Sequence, residues 1–352
     1  MCCRTQQVSA PAKTESDRNW YYSRAEFFLA RMNPPRSLHS QAVLMLLLAN
    51  LFWGLSFPLI KALMQAHQLM LPAGYSWFVT AYTVAPRFLL GSAVLLAVLG
   101  KKLGTFSRLE VRQGVLLGLA AGTGMLFQND GLQFTSASVS AFLTQFYVVM
   151  IPVYVAARVR RWPAGLIWLC SGLVLAGVAV LGRFDPRALH LGRGEAETLL
   201  GSVFFMIQIL LLERKDFAAN RALPVTLAMF ATEAVVFTAM AAATAPRLAD
   251  LLVPWTSGPW LGLTGLLTVF CTLGSFILMN QWQPRITATE AGLIYSLEPV
   301  FASLMALFLP LWFSRWAGLD YANEQVTWHL LAGGGCITLA NVILQLKPPA
   351  KA

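Results

Sequence analysis

The chain has few charged residues: Asp, Glu, Lys and Arg make up 12% of its 352 residues, whereas hydrophobic residues make up 57%. Soluble globular proteins carry about twice that share of charge. The sequence also lacks a G-x-x-x-x-G-K-[ST] phosphate loop and an H-E-x-x-H pair. ATP-driven pumping and zinc proteolysis by this chain alone therefore lack their machinery, and the composition predicts an integral membrane protein.

Cysteine and histidine are scarce and scattered. The five cysteines form no C-x-x-C pair, and the four histidines lie singly in the sequence. This pattern predicts no disulfide framework, no metal site and no cofactor. No motif that would supply a nucleophile and its base is visible either, so we do not expect an enzyme.

Long apolar runs are abundant, and their lengths predict the fold class. Runs near 20 residues are long enough to cross the hydrocarbon of a bilayer. They predict ten spans, at roughly 41–63, 77–99, 113–130, 136–156, 163–182, 197–213, 223–243, 259–281, 287–309 and 326–346. The predicted fold is an all-α integral membrane protein with ten transmembrane helices.

Basic residues alternate between the connections of these spans. If the amino terminus is inside, the cytoplasmic segments hold 19 of the 26 Lys and Arg residues and the outer loops hold five. Because basic residues accumulate on the cytoplasmic side, we predict a multi-pass protein of the cytoplasmic (inner) membrane with both termini in the cytoplasm. The net charge of +10 suits a leaflet with anionic lipids and requires no nucleic-acid partner.

An internal repeat divides the chain into two halves. Residues 287–299 align without gaps with the similar residues 136–148, 151 positions earlier. Since each half holds an odd number of spans, the halves are predicted to be two five-helix inverted-topology repeats. The predicted organisation is a cytoplasmic, disordered segment at 1–40, a first repeat at 41–182, a linker at 183–196, a second repeat at 197–346 and a cytoplasmic tail at 347–352.

Ionisable residues inside the predicted spans are the first candidates for a functional site. A charge near the bilayer centre costs at least about 2.5 kcal/mol, yet Arg87, Glu233 and Glu298 lie near the middle of the second, seventh and ninth spans. Their alternative role is a buried pair that locks helices together. Pro299 removes a backbone donor beside Glu298 and favours an opened helix where a solute or proton binds.

Polar residues at matched positions of the fourth and ninth spans form a second group. Tyr295 and Glu298 share one helix face by their spacing, and the repeat maps them to Thr144 and Tyr147. Matched polar positions of this kind are typical of two walls of one cavity. Gln145 is a weaker candidate, whose alternative role is an interhelical hydrogen bond.

Three motifs carry a resemblance to a known family: WGLSF at 53–57, RF at 87–88 and LEPV at 297–300. They are similar to motifs of the drug/metabolite transporter superfamily, specifically its EamA-type carriers, and the resemblance extends over about residues 41–346. It places Trp53 beside the cavity, whereas the alternative role of this residue is packing. Family members often carry a Gly-Glu pair after the fourth and ninth helices, and this chain does not.

The resemblance implies a secondary-active transporter that works by alternating access and exports a small metabolite, such as an amino acid or related organic solute, or a xenobiotic. An uptake carrier or a sugar-nucleotide-type exchanger of the same fold is the alternative, and a non-transporting membrane enzyme or sensor is a remote one. The expected partners are a small-molecule solute, membrane lipid and protons as coupling ion. Glu298 would bind a proton or a cationic group of the solute, and Arg87 would bind a carboxylate or neutralise Glu298.

Overall fold

A computed structural model describes residues 36–71, 76–131, 133–135, 137–184, 187 and 192–346. The tail at 347–352, nearly all of the predicted amino-terminal segment and part of the linker at 183–196 lie outside the described residues. The described residues form helices, turns and bends, with no strand among them. The all-α prediction is confirmed for this part of the chain.

Fourteen α-helices occupy the described residues. They are α1 Arg36–Met70, α2 Ser76–Leu99, α3 Arg108–Gly131, α4 Ala137–Thr144, α5 Tyr147–Val159, α6 Gly165–Leu181, α7 Arg193–Leu212, α8 Ala222–Thr244, α9 Gly258–Leu266, α10 Ser275–Trp282, α11 Ala288–Tyr295, α12 Glu298–Ala306, α13 Leu309–Ala317 and α14 Trp328–Leu346. A π-helical segment, Leu267–Gly274, joins α9 to α10.

The lengths and hydropathies of these helices identify a multi-pass membrane protein. Among the described residues, seven helical stretches are long and apolar enough to cross a bilayer. An eighth is formed if α11 and α12 count as one span with α13, which is bent away from them by 57°. Helix α6, with 17 residues, is shorter, and α3 has a charged first turn and several glycines. The count of ten spans therefore stays a prediction.

Glycines bring α3 directly against α8. Gly114, Gly118 and Gly122 recur every fourth residue of α3, and a Cβ atom added to Gly118 would lie 2.7 Å from the carbonyl oxygen of Met229. Small residues at such a crossing let two membrane helices approach to backbone contact. This contact places α3 beside the buried stretch of α8 that contains Glu233.

Buried carboxylates make contacts at both ends of the helix bundle. At the end where α1 begins, the Glu290 carboxylate lies 2.9 Å from His39 Nε2 and accepts a hydrogen bond from Gln345 at 3.1 Å. At the opposite end, Arg193 Nη2 lies 2.6 Å from the Asp130 carboxylate. Each contact joins helices that are distant in the sequence, so the ends are held by tertiary contacts and not by the loops alone.

Glu110, in the polar first turn of α3, connects the two halves of the chain. Its carboxylate accepts hydrogen bonds from Arg221 Nε at 2.7 Å, from the Arg221 backbone at 3.1 Å and from the Ser107 backbone at 2.8 Å. The side chain is only 4% exposed. A carboxylate with this many donors stabilises the fold while it is ionised.

We expect this contact to make stability depend on pH in the acid range. Hydrogen bonding from the Arg221 side chain lowers the pKa of Glu110 from its ordinary value of 4.5 to about 2. Because the pKa is lowered on folding, the stabilisation is fully present above about pH 4.5 and is lost as the pH falls toward 2. The thermal midpoint in detergent should fall over this window in the wild type and fall less in Glu110→Gln. An identical pH dependence in both proteins would contradict the expectation.

Candidate functional site

Two membrane helices are broken at equivalent points. One break lies at 145–146, between α4 and α5, and the other at 296–297, between α11 and α12. The backbone N–H groups of Gln145 and Leu297 donate to carbonyls three residues earlier, at 3.2 and 3.1 Å, which tightens the chain locally. The breaks are 151 residues apart, which is the offset between the aligned segments 136–148 and 287–299. Broken helices are where carriers bind solutes and ions.

The first residues after the two breaks, Tyr147 and Glu298, lie in the same region of the bundle. Tyr147 begins α5 and Glu298 begins α12, and the two side chains lie close enough to interact electrostatically. Tyr295 interacts with Tyr147 in the same way. A Cβ added to Gly292 would lie 3.7 Å from the Tyr147 ring, so α11 packs directly against α5. The structure therefore brings together three residues that the sequence predicted for one cavity.

Glu298 lies inside the bundle without a bonding partner in the described part of the chain. It sits midway along the α11–α12 stretch and keeps part of its surface accessible. Its carboxylate forms no hydrogen bond or ion pair with another described residue. An accessible carboxylate without a bonding partner at membrane depth is available to a cationic solute or a proton.

Trp53 and Tyr295 form an aromatic wall where α1 packs against α11 and α12. Their rings meet edge to face with centroids 5.2 Å apart, and Trp53 meets Phe276 in the same way at 5.4 Å. The Tyr295 hydroxyl donates to Gln283 Oε1 at 2.8 Å, and Gln283 Nε2 donates to the Ile209 carbonyl at 2.8 Å. Because its hydroxyl is already bonded, Tyr295 shapes the wall and is not a free donor.

Thr144 and Gln145 differ in what they leave available. The Thr144 hydroxyl donates to the Ser140 carbonyl at 2.9 Å and accepts from Gln128 at 3.1 Å, which is the interhelical bonding that packing requires. Gln145 is 3% exposed, and its Oε1 has no partner among the described residues. Of the two, only Gln145 has an unused polar atom at the break.

Arg87 and Glu233 lie together, away from Glu298. Arg87 Nη2 donates to the Met125 sulfur at 3.0 Å, and the charged residue with which its guanidinium interacts is Glu233. No hydrogen bond or ion pair joins Arg87 to Glu298 among the described residues, so the hypothesis that Arg87 neutralises Glu298 stays a prediction. The three ionisable residues predicted at membrane depth belong to two separate places.

Asn50 is a site residue that the sequence analysis missed. It is fully buried one turn before Trp53, and its Nδ2 donates to the Ile294 carbonyl at 2.8 Å. This carbonyl lies in the last turn of α11 and also accepts a hydrogen bond from the Leu297 backbone at 3.1 Å. The available signal was an amide inside the apolar run of the first span. Asn50 holds the break in place from α1.

Metal-ligating side chains do not cluster in the described residues. No group of three or more His, Cys, Asp and Glu residues there could hold a metal ion. The site described above is built instead from one carboxylate, amides, a phenol and aromatic rings. Such groups recognise organic solutes.

Comparison with known proteins gives a family and a fold. Residues 40–183 match the EamA-like transporter family. A protein of Archaeoglobus fulgidus described as an uncharacterized transporter is 26% identical over 268 residues, which cover 74% of this chain and 76% of the relative. A solved structure described only as "Crystal structure of protein" covers 88% of this chain and 98% of its own, with a TM-score of 0.61 and 17% identity. That identity shows the fold alone. The matches confirm the predicted resemblance: residues 40–183 are similar to the EamA-like transporter family, and about three quarters of the chain is similar to a protein described as a transporter.

Proposed function

We propose that the protein is a secondary-active carrier that exports a small organic solute across the inner membrane by alternating access. The solute class is a metabolite such as an amino acid, or a xenobiotic, with a cationic group. Two inverted repeats, 41–182 and 197–346, rock about a site between them. The observation that carries the proposal is the packing of α11, which ends at the second break, against Tyr147, which follows the first break.

The packing of the helices supports the inverted repeat. Under that repeat α2 corresponds to α8 and α6 to α14, and each helix packs against its own counterpart. An axis that relates two halves must bring some equivalent elements face to face. The contacts of α3 with α7 likewise correspond to those of α1 with the α9–α10 stretch. The family match also ends at residue 183, where the first repeat is proposed to end.

The open carboxylate supports a cationic solute. Glu298 supplies a negative charge with no neutralising cation among the described residues, while Trp53 offers an aromatic surface on α1, which packs against α12. Together these groups suit an ammonium or similar cation, through charge and through cation–π attraction. Gln145 adds one unused amide oxygen, which accepts a hydrogen bond from an N–H of the solute.

Direction and orientation are proposed from the resemblance and from charge. Nineteen of the 26 basic residues lie in the connections assigned to the cytoplasm, so both termini are proposed to be cytoplasmic. A reporter fused after Lys347 should be active only in the cytoplasm. A periplasmic signal would mean that the span count is wrong by one, and the inverted repeat would fall with it.

Counterflow in proteoliposomes tests the transport function. Vesicles that contain the purified protein are loaded with one unlabelled solute from a panel of amino acids, amines, organic acids and sugar nucleotides, and the labelled solute is added outside. We expect transient accumulation of at least one cationic or zwitterionic solute. Accumulation of sugar nucleotides alone would favour the exchanger, and no exchange of any panel solute by folded protein would contradict the proposal.

A further inference from the structure

Arg87 and Glu233 occupy equivalent positions in two helices that pack against each other. Each is the twelfth residue of its helix, counted from Ser76 in α2 and from Ala222 in α8. The close approach of the helices is visible at Gly91, where an added Cβ would lie 3.2 Å from the Phe230 ring. The proposed symmetry therefore places a cation and an acid opposite each other in the two halves.

The two side chains are deeply buried and incompletely bonded. Glu233 is 0% exposed, and within the described residues neither of its carboxylate oxygens has a hydrogen-bond partner. Arg87 is 7% exposed, and its Nε also has no partner there. They interact electrostatically, yet no ion pair joins them among the contacts of the described chain. The pair is held apart at membrane depth.

An ionised carboxylate without hydrogen-bond donors is costly to bury in such surroundings. Burial of an ionised carboxylate without donors costs several kcal/mol even after the protein relaxes, whereas the protonated form avoids most of that cost. Arginine keeps its charge in proteins, so Glu233 is the member of the pair that can bind a proton. In the conformation described here, a carboxyl group without hydrogen-bond partners lies beside an arginine that is bonded to a thioether.

We propose that Glu233 is the proton-binding site of the carrier and Arg87 its switch. In the present conformation the carboxyl oxygen of Glu233 carries one proton taken from water on one side of the membrane. When α2 and α8 shift, Arg87 pairs with the carboxylate, the O–H bond breaks and the proton passes to water on the other side. The proposal rests on the transport function above and assigns its coupling ion.

The surroundings of Glu233 contain few competing titratable groups. Helix α3 contributes Gly122, at which an added Cβ would lie 3.6 Å from Glu233 Cγ, and Met125. The π-helical segment contributes Cys271, which interacts with Arg87. Apart from Arg87 and Cys271, no titratable residue in the described part interacts with the pair. A change in the protonation of Glu233 therefore alters mainly its interaction with Arg87.

An aromatic chain connects this pair to the solute site. Phe88, next to Arg87, and Phe230, one turn before Glu233, both contact the Phe276 ring, each with centroids 5.9 Å apart. Phe276 in turn contacts Trp53 beside Tyr295. Close-packed side chains transmit strain to their neighbours. Solute binding against Trp53 can thus change the approach of Arg87 to Glu233.

Infrared spectroscopy of the purified protein tests the proton directly. Near neutral pH the wild type should show the C=O stretch of a protonated carboxyl, and Glu233→Gln should lose one such band while Glu290→Gln keeps it. Loss of carboxylate bands in Glu233→Gln, with the protonated-carboxyl band unchanged, would overturn the proposal, because Glu233 would then be an ionised partner of Arg87. If the single variant does not fold, the double variant Glu233→Gln with Arg87→Gln, which lacks both charges, is measured in its place.

Transport measurements separate this inference from the proposed function. With the panel solute that wild-type protein exchanges, a pH difference of one unit should support about tenfold accumulation per coupled proton, since one unit equals about 1.36 kcal/mol. Glu233→Gln should show no accumulation driven by a pH difference and a flat pH profile of exchange. An unchanged profile would overturn the proton site while leaving the carrier intact. Absence of exchange in the wild type would instead refute the carrier, with the infrared result still deciding the state of Glu233.

Discussion

Replacement of Glu298 by glutamine should reduce solute exchange about 30- to 150-fold without lowering the amount of folded protein. Glutamine keeps the shape of the side chain and removes its charge. A hydrogen bond to a charged group contributes about 2 to 3 kcal/mol, and every 1.4 kcal/mol is about tenfold in affinity. Because the carboxylate is bonded to no other described residue, the change removes no structural contact. Counterflow in proteoliposomes measures the effect.

The matched control for this variant is Asp216→Asn. Asp216 is exposed between α7 and α8, in a surface ion pair with Arg214, so its charge should not matter to the solute. We expect exchange within about twofold of the wild type, which is less than 0.5 kcal/mol. Normal exchange by Glu298→Gln would refute the assignment of the solute site. A loss of folded Glu298→Gln protein would show that the carboxylate has a structural role.

Replacement of Gly54 by alanine should destabilise the protein by at least about 3 kcal/mol, at the upper end of the cost of overpacking. An added Cβ would lie 2.5 Å from Phe301 Cβ and 2.9 Å from the backbone nitrogen of Ala302. Neither neighbouring atom is the end of a flexible side chain, so α1 and α12 must separate. Since α12 begins with Glu298, we expect lower thermal stability in detergent and loss of exchange in the fraction that folds.

Gly172→Ala provides the control for helix composition. Gly172 also lies within a membrane helix, α6, but an added Cβ would meet no atom within 4 Å. Alanine is a better helix former than glycine by about 1 kcal/mol, so this variant should be as stable as the wild type or more so. Equal stability of the Gly54 and Gly172 variants would show that α1 and α12 are not closely packed.

The sequence predicts the site best where the two halves repeat. The alignment of 136–148 with 287–299 indicates that two helices carry matched polar residues. The structure places three of these residues, Tyr147, Tyr295 and Glu298, together. The opening of the helix beside Glu298 was predicted from Pro299, whereas the break at 145–146 was not. Only the second contains a proline, at Pro299, whereas the first forms at Gln145 and Phe146 without one. Tertiary packing, which local sequence does not encode, opens that helix.

The relation between Arg87 and Glu233 was also beyond sequence reasoning. The offset of 151 residues that aligns the fourth and ninth spans maps Arg87 to Thr238, whereas the structure aligns α2 with α8 at an offset of 146. The connections within the halves differ in length, so one offset cannot describe both helix pairs. The sequence therefore predicted two intramembrane charges, with a buried pair as their alternative role, but did not predict their equivalent positions in α2 and α8.

The roles of Tyr295 and Thr144 depend on partners that the sequence does not reveal. Gln283 bonds the Tyr295 hydroxyl from the end of the eighth predicted span, and Gln128 bonds Thr144 from α3. The sequence of an apolar segment does not show whether a polar side chain in it has hydrogen-bond partners. Only the contacts show that Gln145 and Glu298 retain unused polar atoms while Tyr295 and Thr144 do not.

Alternating access requires that the helix breaks can be reached from each side of the membrane in turn. In a variant without native cysteines that still exchanges solute, a cysteine at position 145 can be labelled with a membrane-impermeant maleimide in right-side-out and inverted vesicles. We predict labelling from both sides, slowed in both cases by the solute that the carrier exchanges. Labelling from one side only, or labelling unaffected by that solute, would contradict alternating access at this site.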